Sequence, residues 1–213
     1  MVHTKGVFDM NKLVLREFIT EEIDDLIERD EMPFSVAVAD IDNMSDINTA
    51  HGEEIGGQVI AKVVSILRQN LSDEDFITLS GDEFTILLRN KGAERSFMYM
   101  EEIRKYLSSN NFQFGEDNAR NIHITVSCGI ASYPRDAKNT VELLRMADSS
   151  MYRAKKLGKN VVCLSEPDSL VLKSCHFTKT QVERLAVLSK ELERTEAFLM
   201  LEAIDDLLKK YKQ

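Results

Sequence analysis

Apolar residues between positions 10 and 30 (Leu13, Phe18, Ile19, Ile23 and Ile27) fall at near-helical spacing with acidic residues between them. This predicts a helix, stopped by Met32-Pro33. FSVAVA, Phe34 to Ala39, is an unbroken apolar run and predicts a buried strand ending at Asp40-Ile41-Asp42. Ile60, Val63, Val64, Leu67 and Leu71 stand at i, i+3, i+4, i+7 and i+11 and predict an amphipathic helix. Strand followed by helix suggests an α/β layer. Phe76 to Leu79 and Phe84 to Leu88 are short apolar runs separated by Ser80-Gly81-Asp82-Glu83, which predicts a β-hairpin with Gly81 in the turn. A helix from about Glu94 to Ser108 and a strand from Ile122 to Ala131 come next. Asn139 and Glu142 are spaced as a capping box for a helix running to Gly158, and the strand NVVCL closes this part near Ser165.

The pattern changes after Glu166-Pro167. Leu170 to Phe177 reads as a strand, and Thr180-Gln181-Val182-Glu183 as a capping box opening a helix to about Leu192. A second helix starts after Thr195, with Phe198, Leu199, Leu201, Ala203, Ile204, Leu207 and Leu208 making a wide apolar stripe. So wide a stripe on so small a module needs a partner surface, most simply a second copy. The expected organisation is a helical lead-in over 1–33, a catalytic-size domain over 34–165 and a small module over 168–213.

Length agrees with that division: 213 residues allow one core of roughly 130 to 170 residues and an appended module. Hydrophobic residues at 43% and charged residues at 30% describe an ordinary folded protein. The net charge of -9 argues against broad attraction to nucleic acid or anionic membrane, while a nucleotide carried with metal ions remains compatible. Cys128, Cys163 and Cys175 show no CxxC spacing and the histidines no HxxxH pair, so neither zinc nor a disulfide framework is expected. With no 18-residue apolar run and no signal-peptide pattern at MVHTKGVFDMNK, a cytoplasmic protein without membrane attachment is expected.

The candidate chemistry is acidic. Asp82 and Glu83 come from the hairpin, and Asp40 and Asp42 from the end of the first strand. Alternation places Asp40 and Asp42 on one strand face and Ile41 on the other. If the first strand neighbours the hairpin, these groups meet at one edge of the core. Converging carboxylates are costly without a cation among them, and hard oxygen donors suit Mg²⁺ or Mn²⁺. Two such ions about 4 Å apart activate a hydroxyl and steady a leaving pyrophosphate, as nucleotide polymerisation requires. Taken singly, a DxD at a strand end and a DE in a turn are more simply read as solvated loop acids, since such pairs are common.

LSGDEFTILL resembles the signature of the GGDEF family, the diguanylate cyclases. DIDNMSDINTAHGEEIGG resembles the family's DIDxFKxINDxxGHxxGD, ITVSCGIASYP its TVSxGIA strand, and ADSSMYRAKKLGKNVV its ADxALYxAKxxGRNxV helix end. The resemblance spans about Phe34 to Leu164. It implies a palm-like nucleotidyl cyclase fold of the α+β class, with a central, mostly antiparallel sheet flanked by helices. It also implies two GTP-loaded domains facing each other, each 3′-hydroxyl attacking the other's α-phosphate. Asp40, with the Ile41 carbonyl nearby, matches the metal-binding acid, and Asp82 and Glu83 match the signature acids completing a site for two Mg²⁺ or Mn²⁺ ions. Ser80 and Gly81 occupy the turn that lets backbone approach the nucleotide. Lys155 and Lys159 match the basic pair on the triphosphate and are expected one turn apart on a helix end, where dipole compensation is the plain alternative.

Departures from the family pattern are specific. Asn48 keeps one of two guanine-reading residues, but Gly57 stands where the pattern has Asp, the acceptor for the guanine N1 and N2 donors. Its loss puts guanine preference in question and opens the site to adenine. Ser45, Met44 and Glu53 replace the usual Lys, Phe and His, and Ser80 replaces the first signature Gly. The product-feedback RxxD falls on Leu71 and Glu74, so no product inhibition is expected there. The tail from Leu170 to Tyr211 resembles, more weakly, a ribbon-helix-helix module; dimerisation is preferred over DNA binding because its strand offers little besides Lys173 and His176. The expected function is condensation of two GTP into cyclic dimeric GMP. The alternatives are a cyclic dinucleotide synthase using ATP or mixed nucleotides, a non-catalytic nucleotide-binding regulator, and a DNA-binding regulator acting through the tail.

Overall fold

Phe34–Ile41 forms strand β1, and all eight of its residues are buried, as a central strand covered on both faces must be. Its side chains alternate between two cores. Ala37, Ala39 and Ile41 join one hydrophobic cluster, while Phe34, Val36 and Val38 join the other. The computed structural model describes residues 16–115, 119–165, 177–192 and 196–211, which divide into two compact units, Met1–Glu166 and Pro167–Gln213.

In the first unit, helix α1 (Arg16–Glu28) precedes β1, and α2 (Met44–His51) and α3 (Glu53–Asn70) follow it. Strands β2 (Phe76–Ser80) and β3 (Glu83–Leu88) make the hairpin, followed by α4 (Ala93–Ser109). A small β4–β5 ribbon (Asn111–Phe114, Arg120–His123), β6 (Val126–Tyr133), α5 (Thr140–Lys156) and β7 (Val162–Leu164) complete it. The main sheet has the order β2-β3-β1-β6-β7. Neighbours are antiparallel except for β6 and β7, which are parallel, so this is a mixed α+β sheet with helices on both faces.

Helices α3 and α4 cover one face through Val59, Val63, Leu67, Met100, Ile103 and Leu107. Helices α1 and α5 cover the other through Ile19, Ile23, Leu26, Leu143 and Ala147. The lead-in helix therefore belongs to the domain's own core. Closest approach comes at Gly129 on β6: a Cβ there would lie 2.0 Å from the Met151 nitrogen and 2.2 Å from the Ala147 carbonyl oxygen, so only glycine lets α5 lie this near the sheet.

The sequence expectation differs from the structure at one strand here. The single strand from Ile122 to Ala131 is two strands, because β5 pairs with β4 in a separate ribbon and β6 pairs with β1. The chain changes partner at Ile124-Thr125, which an unbroken strand-like alternation from Ile122 to Ser127 cannot reveal. Helix α2 is separate from α3, the break falling at Gly52 with φ 89°. Residues 10–15 of the expected first helix lie outside the described residues.

In the second unit, α6 (Lys179–Glu191) and α7 (Glu196–Tyr211) are described. The capping box is formed by Thr178 and Gln181, two residues before the expected one. The Gln181 N–H donates to the Thr178 hydroxyl at 3.3 Å, and the Thr178 N–H donates to Gln181 Oε1 at 2.9 Å. Both halves of the box close between Thr178 and Gln181. The strand expected from Leu170 falls, apart from Phe177, outside the described residues. Val187, Leu188 and Leu192, together with Ile204 and Leu207 of α7, are exposed.

Candidate active site

The end of β1 and the tip of the β2–β3 hairpin adjoin. Asp40 pairs across the ladder with Glu83, and the Ile41 N–H donates to the Asp82 carbonyl at 3.4 Å. The hairpin closes with two residues, Gly81 and Asp82, between the paired Ser80 and Glu83. Gly81 has φ 67°, the positive value required at the first central position of such a loop, and no atom lies within 4 Å of where its Cβ would be. The turn thus presents bare backbone to open space.

Asp40 is not alone there. Lys155, in the last turn of α5, places Nζ 2.7 Å from Asp40 Oδ1, with the carboxylate side chain only 12% exposed. Burial pushes the Asp40 carboxyl above its ordinary range; the Lys155 hydrogen bond and charge pull it back, and the charges of Asp82 and Asp42 push it up again. Asp40 and Asp82 are therefore close enough to repel, with one ammonium beside them.

Asp42 does something else. It sits just beyond β1 and accepts three hydrogen bonds from the fold itself: Oδ1 takes the Ser127 hydroxyl at 2.6 Å, and Oδ2 the Thr125 hydroxyl and Asn160 N–H, both at 2.9 Å, while its own N–H donates to the Thr125 carbonyl at 2.9 Å. The expected sharing of a face by Asp40 and Asp42 does not survive, because the strand ends between them at Ile41 and the chain turns.

Lys159 also differs from expectation. Helix α5 ends at Lys156, so Lys159 is not on the helix. It lies in the following turn with φ 66°, next to Asn160 with φ 50°. From there its ammonium donates to the Asn43 side-chain carbonyl. Asn43 is the N-cap of α2, itself left-handed at φ 59°, and no side chain caps that first turn. Lys155 and Lys159 thus converge on the end of β1 and the start of α2 by different routes. Asn160 is tied in addition to Arg104 of α4, whose Nη1 donates to Asn160 Oδ1 at 2.8 Å.

At the α2–α3 corner, Asn48 Oδ1 is buried without a hydrogen-bond partner. Gly56 explains how it can be there: a Cβ on Gly56 would lie 1.8 Å from that oxygen. Gly57 has open space instead, nothing lying within 4 Å of its would-be Cβ. A buried acceptor without a partner is costly unless a ligand supplies the donor. Sequence reasoning singled out Asn48 and Gly57 but missed Gly56, Arg104, Asn160, Thr125 and Ser127, none of which carries reactive chemistry. Leu71 and Glu74, at the product-feedback position, serve the fold: Leu71 packs against the core and Glu74 accepts from the Asn90 amide at 3.0 Å.

For a divalent cation, the donors of Asp40, Asp82 and Glu83 are of the right kind, hard carboxylate oxygens with a compensating charge already drawn to them. Among the described residues, however, no three His, Cys, Asp or Glu side chains are gathered closely enough to hold a metal by themselves. Any ion there would be completed by ligand oxygens.

A mixed sheet with helices on both faces and a hairpin beside its central strand defines the class, that of the α+β cyclase fold. Residues 10–161 match the sequence model described as "Diguanylate cyclase, GGDEF domain", and the chain belongs to that family. The bifunctional diguanylate cyclase/cyclic di-GMP phosphodiesterase MucR of Pseudomonas aeruginosa is 32% identical over 157 residues, 73% of this chain and 22% of that protein. The probable diguanylate cyclase DgcT of Escherichia coli is 30% identical over 63% of this chain and 30% of its own length. The chain thus spans well under half of these relatives. The GGDEF domain of DgcB from Caulobacter crescentus, solved in complex with c-di-GMP, matches at TM-score 0.67 and 28% identity, covering 73% of this chain and 90% of that one. The active GGEEF domain of a diguanylate cyclase from Vibrio cholerae matches at TM-score 0.65 and 27% identity, covering 74% and 100%. No helix among the described residues is long and apolar enough to cross a membrane.

Proposed function

We propose that the chain condenses two molecules of GTP into cyclic dimeric GMP, each 3′-hydroxyl displacing pyrophosphate from the other nucleotide's α-phosphate. The observation that carries this reading is the 2.7 Å pair between Lys155 and Asp40 beside the open Gly81-Asp82 turn. It assembles acid, base and free backbone where a triphosphate needs all three.

In this reading Asp40, Asp82 and Glu83, with the Ile41 carbonyl, hold Mg²⁺ or Mn²⁺, two per site. The ions supply charge neutralisation at the phosphates and acidify the attacking hydroxyl. Lys155 and Lys159 take the phosphate oxygens, exchanging Asp40 and Asn43 for a more highly charged partner. The uncapped first turn of α2 adds backbone donors next to Lys159. Ser80 and Gly81 leave room for the nucleotide at the hairpin. Asn48 Oδ1 accepts a donor from the base edge, satisfying an oxygen that the fold leaves orphaned.

A second reading, synthesis from ATP or mixed nucleotides, is favoured by Gly57, which offers no acceptor and leaves its space open. Guanine's N1–H and N2–H then lack the partner that would reject adenine. Because one domain holds one nucleotide, the reaction needs two copies. The exposed Val187, Leu188, Leu192, Ile204 and Leu207 of the C-terminal unit support a homodimer formed there, in the manner of a ribbon-helix-helix module. The acidic charge of -9 disfavours DNA as that module's partner.

Purified protein incubated with Mg²⁺ or Mn²⁺ and GTP, ATP or both, with products identified by mass spectrometry, tests both readings. Cyclic dimeric GMP from GTP alone is expected, lost in Asp40→Asn. Mixed or adenine products favour the second reading, and tight nucleotide binding without any product overturns both in favour of a regulator. Light scattering on the same sample should show a dimer.

A further inference from the structure

Two consecutive non-glycine residues with left-handed backbone, Lys159 and Asn160, need something to hold them, since each is disfavoured on its own. The structure shows what does. The Asn160 N–H donates to Asp42 Oδ2 at 2.9 Å, and the Asn160 side chain accepts from Arg104 Nη1 at 2.8 Å. Arg104 is itself fixed: its Nε and Nη2 both reach the Glu101 carboxylate at 2.7 Å, in a two-point pair on the α4 surface. Burial would push Glu101 up, but the hydrogen bond and charge of Arg104 bring it below its ordinary range, so the pair is ionised. Asp42 is held in turn by Ser127 and Thr125.

We infer that Glu101, Arg104 and Asn160 form a positioning relay that aims Lys159 at the triphosphate, setting affinity for the phosphate chain without touching it. This rests on the reading of Lys159 as a phosphate ligand. The relay has the features such a role needs. Glu101 and Arg104 project from α4, a helix of the rigid core, and Arg104 meets the lysine-bearing turn 56 residues further along the chain. Its planar guanidinium fixes direction as well as distance, which a lysine in its place would not. Asn160 carries both contacts, backbone to Asp42 and side chain to Arg104, so the turn is gripped from two sides. Lys159 is the immediately preceding residue, and its own amide donates to the Ala154 carbonyl at 3.2 Å, anchoring the turn to the end of α5.

The decisive variant is Asn160→Gly. It removes the acceptor for Arg104 but keeps the N–H for Asp42, and glycine is at ease at φ 50°. A purely structural role predicts little change in binding; positioning predicts a loss without unfolding. Binding of inorganic triphosphate with Mg²⁺, and of GTP with Mg²⁺, is measured by calorimetry on the full chain, together with the melting temperature. Asn160→Gly and Arg104→Gln should each weaken triphosphate about five- to tenfold, with the Asn160→Gly melting temperature within about 4 °C of wild type. In a Lys159→Ala background the Asn160→Gly effect should shrink below about twofold, because its target is gone. Unchanged affinity in Asn160→Gly, or a loss that persists undiminished without Lys159, overturns the relay while leaving the parent reading intact. Failure of the wild type itself to bind triphosphate overturns the parent reading, and the relay with it.

Discussion

Gly56 and Gly57 are neighbours in one helix, yet adding a methyl group to each should have opposite consequences. Alanine in a helix interior is favoured over glycine by about 0.8–1.0 kcal/mol. At Gly57 nothing lies within 4 Å of the new Cβ, so that gain is kept whole. For a chain of this length it corresponds to a rise of about 2–4 °C in melting temperature. At Gly56 the Cβ would sit 1.8 Å from Asn48 Oδ1 and 2.9 Å from the Met44 methyl. Both are ends of side chains able to rotate, so the helix need not move. The repacking costs about 1–3 kcal/mol, leaving a net loss of roughly 0–2 kcal/mol after the helix gain.

The functional consequence of Gly56→Ala is larger than the structural one. Asn48 must swing away, and its oxygen, which has no protein partner, no longer meets a ligand donor. One hydrogen bond of about 0.5–1.5 kcal/mol corresponds to a two- to tenfold weaker nucleotide. Differential scanning fluorimetry and titration with GTP and Mg²⁺ on both variants provide the check. A Gly56→Ala protein that gains stability as Gly57→Ala does, and binds nucleotide as wild type does, would refute the assignment of Asn48 to the base edge.

Three further outcomes are expected. Lys91→Met should destabilise by about 3–5 kcal/mol in urea unfolding, because the Asp75 carboxylate, fully buried and 2.8 Å from the Lys91 ammonium, is left without its cation; a loss under about 1 kcal/mol would show that the neutral donors on Asp75, the Ser72 N–H at 2.9 Å, the Ser72 hydroxyl at 2.8 Å and the Arg89 backbone N–H at 3.0 Å, suffice to hold it. Glu101→Gln should cost stability in a pH-dependent way: the depressed Glu101 carboxyl contributes fully above its unfolded value near 4.5 and loses its contribution as pH falls through the lower folded value, so the gap between wild type and variant, open at pH 7, should close in acid. A gap independent of pH would place the effect in packing. Lys155→Met leaves the buried Asp40 facing Asp82 uncompensated, so Mg²⁺ should raise the melting temperature of the variant more than that of wild type, and equal shifts would argue against a shared cation position.

What could be read from the sequence follows from what each signal encodes. The buried run of β1, the stripe of α3 and the Ser80-Gly81-Asp82-Glu83 turn are local patterns, and the structure has a strand, a helix and a hairpin turn at those places, although α3 begins seven residues before Ile60. The partner switch at Thr125 is not local: whether Ile122 and Val126 share a strand depends on which chain lies alongside, β4 for the first and β1 for the second. Spacing puts Lys159 on a helix end with Lys155, but the turn after α5 is set by Asp42 and Arg104, which are 117 and 55 residues away in sequence. Gly56 was invisible for the opposite reason, since its role is to have no side chain and so it leaves no chemical signature. The motif residues drew attention because they bear charge, and the residues that aim them did not.

The same electrostatics explains why the acids do not simply cluster. Four carboxylates from a hairpin and a strand end were expected to converge, yet a fold that must be stable before its ligands arrive cannot hold them together uncompensated. The chain divides the problem. Asp42 is turned inward and hydrogen-bonded by hydroxyls and an amide, and Asp40 is given the ammonium of Lys155. Asp82 remains on the hairpin tip, near enough to raise the Asp40 carboxyl but not to complete a cage. Lysine is suited to this because its single mobile charge can leave Asp40 for a phosphate without remodelling the helix that bears it. In the proposed reaction the nucleotide then brings both the oxygens that the acids lack and the anion that draws Lys155 away, so metal and triphosphate should bind with mutual assistance, each removing the other's electrostatic obstacle.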